Sequence, residues 1–136
     1  MGSRGEKCQR EIEELHQFFM AWFTGSVAES DAGFRRFEDV LDDGFELITP
    51  DGETRKRAPL VAGLRALYGS RPDGFKIWIR EFRSRTIAPG IELASYEEWQ
   101  RTAGGETSRI SSAVFRESED CPNAVAWVRV HETWRR

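Results

Sequence analysis

Four long stretches rich in branched and aromatic residues fill the second half of the chain: Phe75 to Ile87, Ile91 to Ala103, Glu106 to Ser118 and Asn123 to Trp134. Short breaks with turn chemistry separate them, namely Ala88-Pro89-Gly90, Gly104-Gly105 and Glu119-Asp120-Cys121-Pro122. Strands joined this tightly run antiparallel, because a parallel return needs a crossover of about a dozen residues or more. A four-stranded antiparallel meander is therefore the expected second half.

The first half has a different period. From Glu6 to about Ala28, apolar residues fall at Ile12, Leu15, Phe19, Trp22, Phe23 and Val27, a spacing that puts them on one helical stripe. Phe34, Phe37, Val40 and Leu41 predict a second, short helix, with Ser30 or Asp31 as N-cap and an end near Asp43-Gly44. Phe45, Leu47 and Thr49 alternate into Pro50-Asp51-Gly52, a turn that makes a small hairpin returning through Glu53 to Lys56. Pro59 then opens a third helix faced by Leu60, Leu64, Leu67 and Tyr68, which Gly69 to Gly74 ends. No internal repeat or linker interrupts the series, so residues 1–136 form one domain, with 1–5 expected to be disordered.

With 136 residues, 39% apolar and 32% charged, the chain has the size and composition of a soluble domain that folds without a staple. The net charge of −3 and scattered basic residues argue against nucleic acid as a partner. Cys8 and Cys121 are far apart, and two histidines have no spaced third ligand, so neither a disulfide framework nor a metal site is expected. No stretch approaches a signal peptide or a membrane span, and the expected location is the cytoplasm.

The order helix, helix, hairpin, helix, four long strands resembles the nuclear transport factor 2-like superfamily over residues 6–136. Local stretches resemble its SnoaL-like branch: FELITPDGE at 45–53, YEEWQ at 96–100, RISSAVFRE at 109–117 and WVRVHETW at 127–134. The resemblance implies a cone-shaped, cystatin-like α+β fold: three N-terminal helices packed on a curved, mostly antiparallel sheet. It further implies a pocket at the open end of the cone, a small apolar ligand without a cofactor, and a homodimer through the outer sheet face.

Strand alternation divides the candidate residues. Pairing across Gly104-Gly105 puts Tyr96, Glu98 and Gln100 with Arg109, Ser111, Ala113 and Phe115, and the simplest register adds Trp78, Arg80, Phe82, Trp127, Arg129 and His131. The opposite face is richer in aliphatic residues and is expected against the helices. On that basis Trp22, Glu81, Ser95, Trp99, Ser112 and Trp134 are expected around the pocket, and Tyr96, Arg109, Trp127 and His131 on the dimer face, with the pocket as their alternative. Glu81 and Glu97 are expected opposite one another.

Catalytic candidates are Glu97, Glu132 and His16, because buried carboxylates and a histidine beside the core are the groups whose pKa values a pocket shifts. Each has a structural alternative, as a wet strand end, an arginine partner or a satisfied core histidine. In ketosteroid isomerase the base is an aspartate just before the hairpin proline, where this chain has Thr49. Helix 1 also lacks that enzyme's tyrosine, and the matching strand offers Ser111 and Ser112. Three functions follow as expectations: a dimeric small-molecule-binding domain, a cofactor-independent isomerase, cyclase or dehydratase acting on a small apolar carbonyl compound, or a protein-association module with a plugged cone.

Overall fold

Helix α1, Arg4–Thr24, begins with a capping box in which the Ser3 hydroxyl accepts from the Glu6 amide and the Glu6 carboxylate accepts from the Ser3 amide. The structure, a computed structural model, describes residues 2–135. The disorder expected of 1–5 therefore gives way to a capped helix from Ser3 onward, and Met1 lies outside the described residues. The helix stops at Gly25, which takes φ +69°, while the Ser26 amide donates back to the Ala21 carbonyl. Two further terminal carbonyls, those of Trp22 and Phe23, accept from the amides of Gly69 and Arg71. With its last carbonyls taken up by this distant loop, α1 ends four residues before the predicted Ala28.

Helix α2, Asp31–Glu38, is capped by the Ser30 hydroxyl. It ends earlier than the predicted Asp43-Gly44 because strand β1, Leu41–Ile48, starts there and pairs in parallel with the last strand, Leu41 opposite Trp127. Val40 and Leu41 fit either period, and the parallel neighbour decides the matter. Strand β2, Thr54–Lys56, closes the hairpin, and α3, Arg57–Ala66, has Pro59 in its first turn as expected. Strands β3, Lys76–Ala88, β4, Ile91–Thr102, β5, Gly105–Glu117, and β6, Val125–Trp134, form the predicted meander. Among the described residues the sheet has six strands in the order β2-β1-β6-β5-β4-β3. No helix among them is long and apolar enough to cross a membrane.

Two bulges set which side chains meet inside. On β3, Glu81 and Phe82 together oppose the single Tyr96 of β4, and Glu81 takes a positive φ of 56°. On β6, Val128 is an extra residue between Trp127, opposite Phe115, and Arg129, opposite Val114. Each bulge reverses the alternation of the strand half beyond it. The helix-facing side therefore combines Ile77 and Ile79 of β3, Tyr96, Glu98 and Gln100 of β4, Arg109 and Ser111 of β5, and Val130 and Glu132 of β6. The predicted facing is inverted on β4 and β5 and holds at the outer ends of β3 and β6.

The core is tied together by a buried carboxylate. Glu11 on α1 is fully buried, and its two oxygens accept from both Arg36 nitrogens of α2 at 3.1 and 2.8 Å, from Asn123 Nδ2 at 3.0 Å and from Trp127 Nε1 at 2.9 Å. One charge thus joins α1, α2, the β5–β6 loop and β6, around aromatic packing that includes Trp22, Phe34, Phe37 and Phe115. Glu11→Ala should lower the unfolding free energy by about 3 kcal/mol, near the low end for a broken buried pair because Arg36 keeps one side in water. Urea denaturation checks this.

Candidate functional site

A cavity of about 200 Å³ opens between the sheet and the helices. Phe19 and Phe23 from α1, Phe45 and Leu47 from β1, and Leu60 and Leu64 from α3 make its walls apolar. Its floor is different: His16, Glu98, Gln100, Arg109 and Glu132 converge there from α1, β4, β5 and β6, beside Tyr96.

His16 is oriented by its own helix. Its Nδ1 donates to the Ile12 carbonyl at 2.7 Å, one turn back, which leaves Nε2 aimed at Glu98 Oε1 at 2.8 Å. Burial is the largest influence on this imidazole and works against its charge. The hydrogen bond and charge of Glu98, the Ile12 carbonyl and the charge of Glu132 outweigh burial, and the pKa of His16 is raised. Glu98 shows the mirror case, since burial would raise its pKa but His16, Arg109 and a hydrogen bond from Gln100 Nε2 hold it low. The two form an imidazolium–carboxylate pair.

Glu132 is treated differently by the same surroundings. Burial and the charge of Glu98 push its carboxyl up to about 7, while Arg109 only partly offsets them. The contact explains the weak offset: Arg109 Nη1 reaches Glu132 Oε1 at a long 3.3 Å, and Ser111 Oγ lies 3.5 Å from the other oxygen. Arg109 Nε is buried without a hydrogen-bond partner, 3.5 Å from Glu98 Oε2. Burial, with the charges of Glu98 and Glu132, raises the Tyr96 phenol well above its usual range, so it remains a neutral hydroxyl. The floor is thus a network in which one carboxyl is poised near neutrality while its neighbours stay charged.

Of the predicted catalytic residues, His16 and Glu132 meet on this floor. Glu97 does not. It lies on the outer face, where it accepts from Arg135 Nε and Trp99 Nε1, each at 2.9 Å, and it opposes Arg80 rather than Glu81. Among the predicted pocket residues, Trp22 is sealed in the core and donates to the Leu64 carbonyl, and Glu81 is exposed at the bulge. Ser95, Trp99 and Ser112 lie on the outer face, Trp99 stacked on Trp78. Trp134 stands at the rim with its ring 4.8 Å from the Arg109 guanidinium and its Nε1 donating to Asp51 of the hairpin turn. Tyr96, Arg109 and Trp127 line the cavity, which was their alternative placement, and His131 is exposed outside.

Sequence reasoning passed over Glu98 and Gln100, whose place in the cavity depends on the β3 and β6 bulges. The one available signal was that both share the Tyr96 face. Among the described residues no group of three or more His, Cys, Asp or Glu side chains is arranged to hold a metal ion.

Comparison with solved structures shows the same fold. An NTF-2 like protein of unknown function from Pseudomonas aeruginosa superposes with a TM-score of 0.84 at 22% identity, over 96% of this chain and 99% of that one. An uncharacterised protein with a cystatin-like fold from Caulobacter vibrioides gives 0.70 at 21% identity, over 99% and 92%. The S. rosetta CaMKII hub gives 0.76 at 9% identity, over 99% of each chain. No curated protein matches the sequence. The fold is therefore NTF2-like, and the model of one family, described as the sucrose-6-phosphate phosphohydrolase C-terminal family, matches residues 8–136: the chain belongs to that family.

Proposed function

We propose that this domain binds a small, largely apolar molecule in the cone, with the polar head of the ligand on the His16–Glu98–Arg109–Glu132 floor. The convergence of these four ionisable groups at the bottom of an open apolar cavity carries the proposal, since a plugged cone would have filled that space with side chains. A sugar phosphate, the substrate in the family's description, suits this floor poorly. Its dianion would face Glu98 and Glu132, and the apolar walls would leave its hydroxyls unpaired.

A second reading, proton-transfer catalysis without a cofactor, is favoured by one observation. Glu132, at about 7, can take up and return a proton near neutral pH beside a guanidinium that stabilises developing negative charge. It would supply the base that Thr49 cannot: the Thr49 hydroxyl accepts from the Glu53 amide within the hairpin.

The partner we propose is a second copy of this chain on the outer sheet face. The stacked Trp78 and Trp99 lie there, with Arg80 4.7 Å over the Trp99 ring and Ile110 41% exposed. Aromatics with arginines are the composition of interface cores. Light scattering should return twice the mass of one chain, and Trp99→Glu should halve it; a monomeric parent protein overturns this assignment.

Two measurements test the cavity. Leu60→Trp, which fills the lumen from α3, should abolish retention of any small molecule seen by native mass spectrometry while leaving the fold intact. Unchanged retention sinks the cone as the site. The second concerns pH. Glu132 titrates at about 7 when folded and at about 4.3 when unfolded. Between these values the native state holds the extra proton, so the stabilisation is full below the unfolded pKa and is lost as pH rises through 7. Glu132→Gln should therefore be more stable than the parent at pH 8, by about 3–4 kcal/mol, and nearly equal to it at pH 4.

A further inference from the structure

Half of the floor is settled by itself and half is not. Glu98 is matched by His16 at 2.8 Å and by Gln100 at 2.8 Å. Arg109 is poorly matched: one long hydrogen bond to Glu132, a buried Nε with no partner, and the ring of Trp134 over its plane. Whenever Glu132 holds its proton, the floor carries two cations, His16 and Arg109, against the single carboxylate of Glu98. That positive charge sits in a low-dielectric cone whose other walls are apolar and cannot compensate it.

We propose that the cone selects a monocarboxylate with an apolar tail, binding its head between the Arg109 guanidinium and the protonated Glu132 carboxyl. This rests on the proposal that the cone is a ligand site and names the ligand class. The geometry supplies what a carboxylate needs. Guanidinium nitrogens donate to one or both of its oxygens, and the Glu132 hydroxyl donates to the other in a charge-assisted O–H···O bond. A phosphate would bring a second negative charge toward Glu98, which His16 keeps ionised. The tail space, between Phe19, Phe23, Phe45, Leu60 and Leu64, suits a phenyl or branched alkyl group.

Binding then depends on protonation. The groups facing Glu132 are His16 from α1, Tyr96 and Glu98 from β4, and Arg109 and Ser111 from β5, while β1 and α3 face it with Leu47, Leu60 and Leu64. Tyr96 stays a neutral hydroxyl and Glu98 holds His16 toward its charged form, so Glu132 is the group whose proton the ligand requires. At pH 6 about nine-tenths of the molecules would carry that proton and at pH 8 about one-tenth, so affinity should fall about tenfold between them.

Isothermal titration with phenylacetate, benzoate and their amides, at pH 6 and pH 8 in buffers of different ionisation heat, tests this. The acids should bind at least about tenfold more tightly than the amides at pH 6, and take up close to one proton at pH 8. Glu132→Gln, whose amide keeps a donor in place, should bind the acids equally at both pH values. Arg109→Gln should lose the preference for acid over amide. Amides binding as tightly as acids, or acid binding that ignores pH in the parent protein, overturns the proposal. Residual pH dependence in Glu132→Gln moves the titration to His16 and overturns the role given to Glu132. Binding of the amides alone rejects the carboxylate and leaves the cone as a ligand site. If no acid binds the parent protein the carboxylate proposal falls, whereas the cone as a ligand site falls on the retention measured with Leu60→Trp.

Discussion

The Glu11 carboxylate is the constraint on which the arrangement depends. A charge taken wholly out of water is tolerated only when its lone pairs are occupied, and here four donors from three separate parts of the chain occupy them. Because Arg36, Asn123 and Trp127 must all reach Glu11, α2, the β5–β6 loop and the start of β6 take fixed positions around α1. That placement brings Val40 and Leu41 alongside β6, turns β1 into its parallel neighbour and lifts α2 off the sheet one turn early. His16, little more than one turn beyond Glu11 on α1, is thereby pointed at the far half of the sheet.

The bulges convert this frame into a site. Without the extra residues at Glu81–Phe82 and Val128, the outer ends of β3 and β6 would face the other way, and Glu132 would lie in solvent with Ser111 opposite a different partner. With them, two carboxylates, an imidazole and a guanidinium share one dry floor. Their pKa values then separate by environment alone: Glu98 has a close cation and stays low, and Glu132 has a distant one and rises. The strain at Glu81, a non-glycine residue with φ 56°, belongs to the same device.

The outer face follows from the same reversal. Trp99 and Ile110, which alternation alone would have turned toward the helices, join Trp78 and Arg80 on the exterior surface, where Trp78 and Trp99 stack and Arg80 lies over the Trp99 ring. An aliphatic strand face did not predict burial on β4 and β5 although their pairing is unbroken, because the bulges on the flanking β3 and β6 set which face meets the helices. On β4 and β5 the buried face is instead made of Ala94, Tyr96, Ala113 and Phe115 together with Glu92, Glu98 and Ser111, and the cavity takes Tyr96 and Glu98.

Local chemistry was enough to determine the element order, the turns at Pro50-Asp51-Gly52 and Gly104-Gly105, the helix cap at Ser30, the first-turn Pro59 of α3 and the cone-shaped fold class, because these depend on neighbours within a few residues. His16 and Glu132 were legible as candidates because a histidine on an apolar stripe and a glutamate in a strand both invite a partner. Their true partner was not legible: Glu98 lies 82 residues from His16, and a one-residue bulge, which leaves no mark in an alternating pattern, decides whether it or Glu97 faces inward. Sequence therefore determined the shape and the types of group available. Only tertiary structure decided which carboxylate is ionised, which holds a proton near pH 7, and which face of the sheet meets the helices, since these depend on distances between strands.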